Sequence, residues 1–92
     1  MPLWVTENGI GTDDDDQRIG YVRQALQGVL EVIAGGVAVE GYTYWSLLDN
    51  FEWAFGYRPR FGLVEVDRSS FERRPKPSAS WFSAVARNNR LT

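Results

Sequence analysis

The chain has 92 residues, of which 43% are hydrophobic and 14% are aromatic, and its formal net charge is -2. A chain of this length forms at most one small core. Its charged residues are interspersed and form no basic stripe, which argues against nucleic acid as a partner. Because cysteine and histidine are both absent, a disulfide framework and a thiolate-bound zinc site are excluded, and we expect neither a metal nor a cofactor.

The first predicted element is a short apolar run from Leu3 to Thr6. Its partly β-branched composition favours a buried strand of a parallel sheet, and Gly9 and Gly11 end it. The segment before Glu7 lacks the basic region of a signal peptide, and no apolar run reaches the ~20 residues of a bilayer span. We therefore expect a cytoplasmic protein that does not contact a membrane.

An amphipathic helix is predicted from Asp16 to about Ala34. Apolar residues recur there at helical spacing, namely at Ile19, Val22, Leu26, Val29 and Ile33. Asp14 and Gln17 stand at capping-box spacing, and Gly35-Gly36 provides a left-handed stop. The aspartate run Asp13 to Asp16 lacks the alternating ligands of a calcium loop, so a solvated helix start is the favoured interpretation.

A second strand is predicted from Val37 to Leu48, which contains several aromatic residues of high strand propensity. Strand, helix and strand would then form one crossover unit with parallel strands. The segments Phe61 to Asp67 and Phe71 to Arg74 flank Arg68-Ser69-Ser70 and predict a β-hairpin.

A closing helix is predicted near the C-terminal end of the sequence. Pro75 and Pro77 interrupt the preceding pattern, and Ser78 is the expected capping residue. The inner face of this helix would carry Trp81, Phe82 and Val85, and the helix would end near Asn88-Asn89.

Two motifs close the predicted strands with a carboxylate beside polar and aromatic residues. They are Thr6-Glu7-Asn8-Gly9 and the run from Trp45 to Trp53, Trp-Ser-Leu-Leu-Asp-Asn-Phe-Glu-Trp. Aromatic faces and carboxylates together are typical of sugar-binding sites. With the segment from Arg60 to Asp67, with Trp81-Phe82 and with Asn88-Asn89, these motifs resemble the C-terminal part of a glycoside hydrolase family 1 enzyme, the β-glucosidase and β-galactosidase family.

The resemblance implies an α/β fold that forms part of a (β/α)8 barrel. Residues 1–92 would be a single partial domain, the last two β/α units with an added β-hairpin, about a quarter to a third of the ~250 residues that such a barrel needs. The periodicity alone predicts only a βαβα arrangement.

The resemblance also implies a role for each candidate site residue. Glu7 would be the nucleophile of a retaining β-glycosidase, and the substrate-binding residues would be Trp45, Glu52, Trp53 and Phe61. Considered without the resemblance, Glu7 is more readily interpreted as a surface carboxylate that opens a loop. The three aromatic residues could belong to the core, although the flanking Glu52 favours a sugar site for Trp45 and Trp53. Asp49 and Asn50 are expected to brace their loop, and Arg60 to brace the strand ends.

The acid/base carboxyl group of the family lies in an Asn-Glu-Pro motif, which this sequence lacks. General acid assistance contributes about 10²–10⁴-fold to rate, so we expect the chain alone to be inactive. Two parallel strands covered by helices on one side would leave open edges and a bare face. The expected partners are therefore a β-glycoside or oligosaccharide substrate and either an N-terminal barrel fragment or a second copy of the chain. The alternative is a non-catalytic sugar-binding or self-assembling structural fragment.

Overall fold

The computed structural model describes all of residues 1–92. In chain order the elements are β1 (Leu3–Asn8), α1 (Asp15–Ala34), β2 (Val39–Tyr44), a 3-10 turn (Trp53–Phe55), β3 (Val64–Val66), β4 (Arg73–Pro75) and α2 (Pro77–Asn88). β1 pairs with β2 in parallel, and β3 pairs with β4 in an antiparallel hairpin. The predicted order of strand, helix, strand, hairpin and helix is confirmed. Neither helix is long and apolar enough to cross a bilayer.

Helix α1 begins and ends at the residues that its capping pattern indicates. The side chain of Asp14 accepts hydrogen bonds from the main-chain N–H groups of Asp16 and Gln17, which satisfies donors that the first turn leaves free. Gly36 has a φ of 101° and ends the helix in a conformation that favours glycine. The Gln17 side chain does not complete the capping box, because its oxygen accepts from the Thr12 hydroxyl at 2.5 Å.

Two expectations about the helix starts are wrong. Asp15 is not a solvated residue: its carboxylate accepts from the N–H and the hydroxyl of Ser78, both at 2.7 Å, and from Arg18 at 2.7 Å. Ser78 does not cap α2, because it lies inside that helix, which begins at Pro77 after Lys76. Instead, the carboxylate of Asp15 accepts a hydrogen bond from the N–H of Ser78 in the first turn of α2, and thereby joins the two helices.

The hydrophobic core lies between the helices, β2 and β3. Its buried apolar residues are Val22, Tyr44, Leu63 and Val64. Phe82 of α2 packs beside it with its ring centroid 6.2 Å from that of Tyr42 and 6.4 Å from that of Tyr44. The solvent-accessible surface is 6415 Å², about 1,000 Å² more than a compact protein of this mass exposes. Much apolar surface is therefore left uncovered.

The expectation that the first strand is buried is wrong for this chain. Leu3 is 51% exposed and Trp4 is 59% exposed. The Trp4 ring covers Gly41, where it leaves no room for a Cβ, and its indole N–H donates to the Thr43 hydroxyl at 3.1 Å. Successive residues of a strand point to opposite faces, so this face of the sheet lies away from the one that Tyr42 and Tyr44 pack against the helices.

Candidate functional site

The C-terminal ends of β1 and β2 lie side by side. Asn8 pairs with Tyr44 in the parallel ladder, and the N–H of Trp45 donates to the carbonyl of Asn8 at 2.9 Å. Gly9 lies against the Trp45 carbonyl, which leaves no room for a Cβ. The chain segments that carry Glu7 and Trp45 are therefore brought together at one edge of the sheet, where parallel strands gather functional groups.

Asn8, next to Glu7, is held by two tyrosines. The Tyr42 hydroxyl donates to Asn8 Oδ1 at 2.8 Å, and Asn8 Nδ2 donates to the Tyr21 hydroxyl at 3.2 Å. Burial raises the pKa of Tyr42 to about 12, with smaller contributions from Tyr21 and Tyr44, so Tyr42 stays a neutral donor. Glu7 itself is exposed and forms no ion pair. The carboxylate of Glu7 therefore has no ion-pair partner, while the main chain beside it is held in place.

Phe61 links the loop after β1 to the end of β2. Its carbonyl accepts from the Tyr44 hydroxyl at 2.6 Å and from the Ser46 N–H at 3.3 Å. Its ring lies against Gly11, where a Cβ would be 3.0 Å away. Phe61 is half-buried, and its main chain is fixed at the edge that carries Trp45.

Glu52 and Trp53 lie in the loop between β2 and β3. The N–H of Glu52 donates to the carbonyl of Gly56 at 2.7 Å, which closes a tight turn around Trp53. Trp53 has a φ of 51°, a left-handed conformation that costs a non-glycine residue about 1–3 kcal/mol and is concentrated at functional sites. One side-chain oxygen of Glu52 is buried without a hydrogen-bond partner, as is Asn50 Oδ1. The loop therefore contains two buried acceptors that no donor of this chain satisfies.

Solvent-exposed aromatic side chains surround Trp53. Phe51 packs edge to face on Trp53 and on Tyr57, with ring centroids 6.2 and 5.4 Å apart, and the Arg68 guanidinium lies 4.3 Å from the Tyr57 ring centroid. Trp53 is 84% exposed and Trp45 is 38% exposed. Neither tryptophan belongs to the buried core of this chain, so both are free to meet a ligand or another part of a larger molecule.

Asp49 braces its loop, as predicted, whereas Arg60 does so mainly through its main chain. Asp49 Oδ1 accepts from the Gly62 N–H at 2.8 Å. The half-exposed Arg60 guanidinium reaches Asp13 and Glu65 only at 3.6 Å, and ion pairs of that kind contribute little. Its carbonyl accepts from the Thr12 N–H at 3.0 Å.

Arg18 is an important residue to which the sequence pattern assigned no role. It is 1% exposed, and its guanidinium donates to Asp15 and to the carbonyls of Thr12 and Arg60. Burial alone would raise the pKa of Asp15, but the hydrogen bonds from Ser78 and Arg18 outweigh it and hold that pKa below its usual value. Arg18 thereby fixes the loop after β1 against the segment that leads to Phe61.

The predicted site residues lie outside the three main clefts of the molecule. The three main clefts have volumes of about 290, 690 and 370 Å³. They lie between α1 and α2, between the middle of α1 and residues 89–92, and between α1 and the sheet. None of them is lined by the candidate residues Glu7, Trp45, Glu52, Trp53 or Phe61. No group of three or more carboxylates stands close enough to hold a metal ion. The candidate site is an open surface at the strand ends.

The sequence profile of the family described as Glycosyl hydrolase family 1 matches residues 1–91. The chain is 46% identical over 99 residues to the 1,4-beta-D-glucan glucohydrolase of Thermotoga neapolitana, a match that covers 98% of this chain and 22% of that protein. It is 50% identical over 95 residues to the bifunctional beta-D-glucosidase/beta-D-fucosidase of Bifidobacterium breve, which covers 89% of this chain and 21% of that protein.

Solved structures show the same relation. A beta-glycosidase from Pyrococcus horikoshii superimposes with a TM-score of 0.97 at 50% identity, over 99% of this chain and 22% of that one. A family 1 β-glucosidase from Thermotoga maritima in complex with isofagomine lactam gives 0.95 at 43% identity, over 99% and 23%. The chain spans about a fifth of the length of these relatives. Its predicted fold, an α/β portion of a (β/α)8 barrel, is confirmed.

Proposed function

Because this chain belongs to glycosyl hydrolase family 1, we propose that it is the C-terminal part of a retaining β-glycosidase that hydrolyses terminal β-D-glycosides in the manner of a β-glucosidase. It would contribute the last two β/α units of the barrel. The observation that supports this most strongly is the superposition of 99% of the chain on a solved β-glycosidase with a TM-score of 0.97. The chain would carry the nucleophile and half of the subsite for the terminal sugar.

In the proposed reaction Glu7 attacks the anomeric carbon, and the bond to the leaving-group oxygen breaks as that oxygen receives a proton. Water then hydrolyses the covalent glycosyl-enzyme intermediate. Glu7 suits this role because its carboxylate is exposed while Tyr42 and Tyr21 hold the neighbouring Asn8. The second carboxyl group, which must lie ~5 Å away, would come from a segment outside residues 1–92.

The remaining candidates would bind the sugar. Trp45 would cover the apolar face of the pyranose ring, and Phe61 would form part of the wall. Glu52 would accept hydrogen bonds from hydroxyl groups remote from the anomeric carbon, and Trp53 would donate its indole N–H to a neighbouring one. The Glu52 carboxylate has an oxygen that no donor of this chain satisfies, which supports its assignment as an acceptor completed by other groups.

A mechanism-based 2-fluoro glucoside tests the nucleophile. We expect the reagent to label Glu7 only when the chain is combined with an N-terminal fragment of the Thermotoga neapolitana relative that ends where this chain begins to match. Peptide mass spectrometry locates the label, and Glu7→Gln is the control that should remain unlabelled. A label on another residue of the chain, or none in the assembled pair, contradicts the proposal.

The second candidate is a sugar-binding or self-assembling fragment that does no chemistry. It is favoured by the uncovered apolar surface, which includes Leu3, Trp4 and Leu47, each more than half exposed. Self-assembly predicts a solution mass well above 10.5 kDa, measured by sedimentation, with neither labelling nor sugar binding. A binding module predicts no labelling but weak sugar binding that Trp53→Ala abolishes.

A further inference from the structure

A nearly buried ion pair anchors the loop that carries Glu52 and Trp53. Lys76 Nζ lies 3.0 Å from each carboxylate oxygen of Asp49, and the two side chains are 14% and 10% exposed. The same ammonium donates to the carbonyl of Gly62 at 2.7 Å, while Asp49 Oδ1 accepts from the N–H of Gly62 at 2.8 Å. Asp49 thus binds the N–H of Gly62, and Lys76 binds its carbonyl.

The main chain around this pair is equally constrained. Gly62 lies against the N of Asp49 and the carbonyl carbon of Leu48, so that a Cβ has no room there. The N–H of Asp49 donates to the carbonyl of Val64 at 3.0 Å, and the N–H of Lys76 donates to the carbonyl of Leu63 at 2.9 Å. Three segments distant in sequence therefore meet at one point: the loop after β2, the segment before β3 and the start of α2.

This meeting point adjoins, along the chain, two groups of the proposed sugar-binding residues. Glu52 and Trp53 follow Asp49 closely in the chain, and Phe61 immediately precedes Gly62. We infer that the Asp49–Lys76 pair positions Glu52 and Trp53 relative to Phe61, so that Lys76 sets the geometry of the subsite without touching the sugar. The inference rests on the proposed function of these residues.

This role depends on the positive charge of Lys76 beside the carboxylate of Asp49. Removing Lys76 leaves the Asp49 carboxylate nearly buried and unpaired, and the cost of such a charge is relieved when the loop moves it toward water. Any such movement carries Glu52 with it. Displacing a residue that positions the substrate by about 1 Å costs on the order of 100-fold in rate.

The sequence allows a sharp test, because Lys76 is the only lysine and the chain has no cysteine. In Lys76→Cys, alkylation of the unique thiol with 2-bromoethylamine restores an ammonium at the same reach as the lysine. Alkylation with iodoacetamide adds a neutral group instead. Arg73→Cys, treated with the same reagents, is the matched control, since Arg73 is exposed and pairs with no carboxylate.

The first measurement uses the chain by itself. We expect Lys76→Cys to shift the amide NMR signal of Gly62 and the indole signal of Trp53, aminoethylation to return both, and iodoacetamide to return neither. If the variant does not fold, Asp49→Asn takes its place, because it keeps an acceptor for the Gly62 N–H and removes only the charge. An unchanged Trp53 signal in the folded variant overturns the inference.

The second measurement uses the chain assembled with the N-terminal fragment of the relative. We expect Lys76→Cys to lower kcat/KM for an aryl β-glucoside about 100-fold and aminoethylation to recover at least a tenth of the original value, with Arg73→Cys unchanged throughout. Recovery of activity by iodoacetamide as well overturns the inference. If the unaltered assembly has no glycosidase activity, the proposed function fails, and the NMR measurement still decides whether Lys76 positions the loop.

Discussion

Two regions of the molecule differ in how far their side chains are buried and hydrogen-bonded. One is the side that the helices cover, and the other is the loop after β2. On the helix side Arg18, Val22 and Ser78 are each 1% exposed, and Asp15 accepts hydrogen bonds from both Arg18 and Ser78. In the loop Trp53 is 84% exposed, and Glu52 has a buried oxygen with no donor.

The difference separates the source of stability from the source of the proposed chemistry. The contacts that bury Arg18, Val22 and Ser78 on the helix side all come from within residues 1–92. The loop places aromatic rings and acceptors at the strand ends, where the rest of a barrel and a sugar would complete them. Substitutions on the helix side should therefore change stability, and substitutions in the loop should change ligand binding.

The largest loss of stability is expected for Arg18→Met. The methionine keeps most of the packing but leaves the carboxylate of Asp15 and the carbonyls of Thr12 and Arg60 without the guanidinium that they share. Breaking a buried ion pair in this way costs about 3–5 kcal/mol. Urea unfolding followed by circular dichroism measures the change in the free energy of unfolding.

Arg87→Met is the control for this substitution, because Arg87 is exposed on the last turn of α2 and forms no ion pair. Its effect should stay within about 0.5 kcal/mol. Equal unfolding midpoints for the two variants would show that the helix side is not held by Arg18.

A matched pair on α1 tests where the apolar side of that helix ends. Val22 is 1% exposed and Ile33 is 42% exposed, although both belong to the same predicted stripe. Val22→Ala should reduce the free energy of unfolding by about 2 kcal/mol through lost burial and a residual cavity, and Ile33→Ala by less than about 1 kcal/mol. A larger loss at Ile33 would place the core nearer the C-terminal end of α1.

The sequence predicted the elements well because their signals are local. Helical spacing from Ile19 onward and the cap at Asp14 marked α1 to within one residue. Strand propensity located β2, but the predicted range of Val37 to Leu48 is wrong at both ends, because the strand is only Val39–Tyr44. The periodicity also contained a missed signal: Arg18 stands one helical turn before Val22 on the same face. Its burial depends on carbonyls of Thr12 and Arg60, and no local pattern shows that these distant carbonyls converge.

The site was predicted from the motifs, but its surroundings were not. The strand ends that carry Glu7 and Trp45 meet because parallel pairing brings them together. The pairing of Asp49 with Lys76 joins residues from separate elements, and the sequence gives no sign of it. The first strand was expected to be buried because its composition suits the interior of a whole barrel, whereas residues 1–92 supply only one neighbouring strand.

An intermediate effect is expected at high pH on the helix side. Tyr42 has its pKa raised by burial to about 12, whereas the tyrosine pKa in an unfolded chain is about 10. Between these values the unfolded chain loses its proton first, so stability falls as the pH rises. Because Tyr42 is only half-buried, we discount the loss to about 1 kcal/mol.

The measurement compares urea midpoints at pH 9 and pH 11. Tyr42→Phe should lower the midpoint at pH 9, through the lost hydrogen bond to Asn8, but should then lose less between the two pH values than the unaltered chain. Tyr57→Phe is the control, since Tyr57 is 58% exposed, and it should leave the pH dependence unchanged. The same loss in all three chains would contradict the assignment to Tyr42.

The smallest change in stability is expected in the loop, at Trp53. Because its side chain is 84% exposed, Trp53→Ala should change the free energy of unfolding by less than about 0.5 kcal/mol. Trp81→Ala removes a ring packed against the core and should cost about 2 kcal/mol or more.

Trp53→Gly should be about 1 kcal/mol more stable than Trp53→Ala, since glycine accepts the φ of 51° without strain. In the chain assembled with the N-terminal fragment, both Trp53 variants should lose binding of glucose-type ligands, measured by NMR titration, although the fold persists. If Trp53→Ala unfolds the chain as Trp81→Ala does, the loop belongs to the structural core and the division between the two regions is wrong.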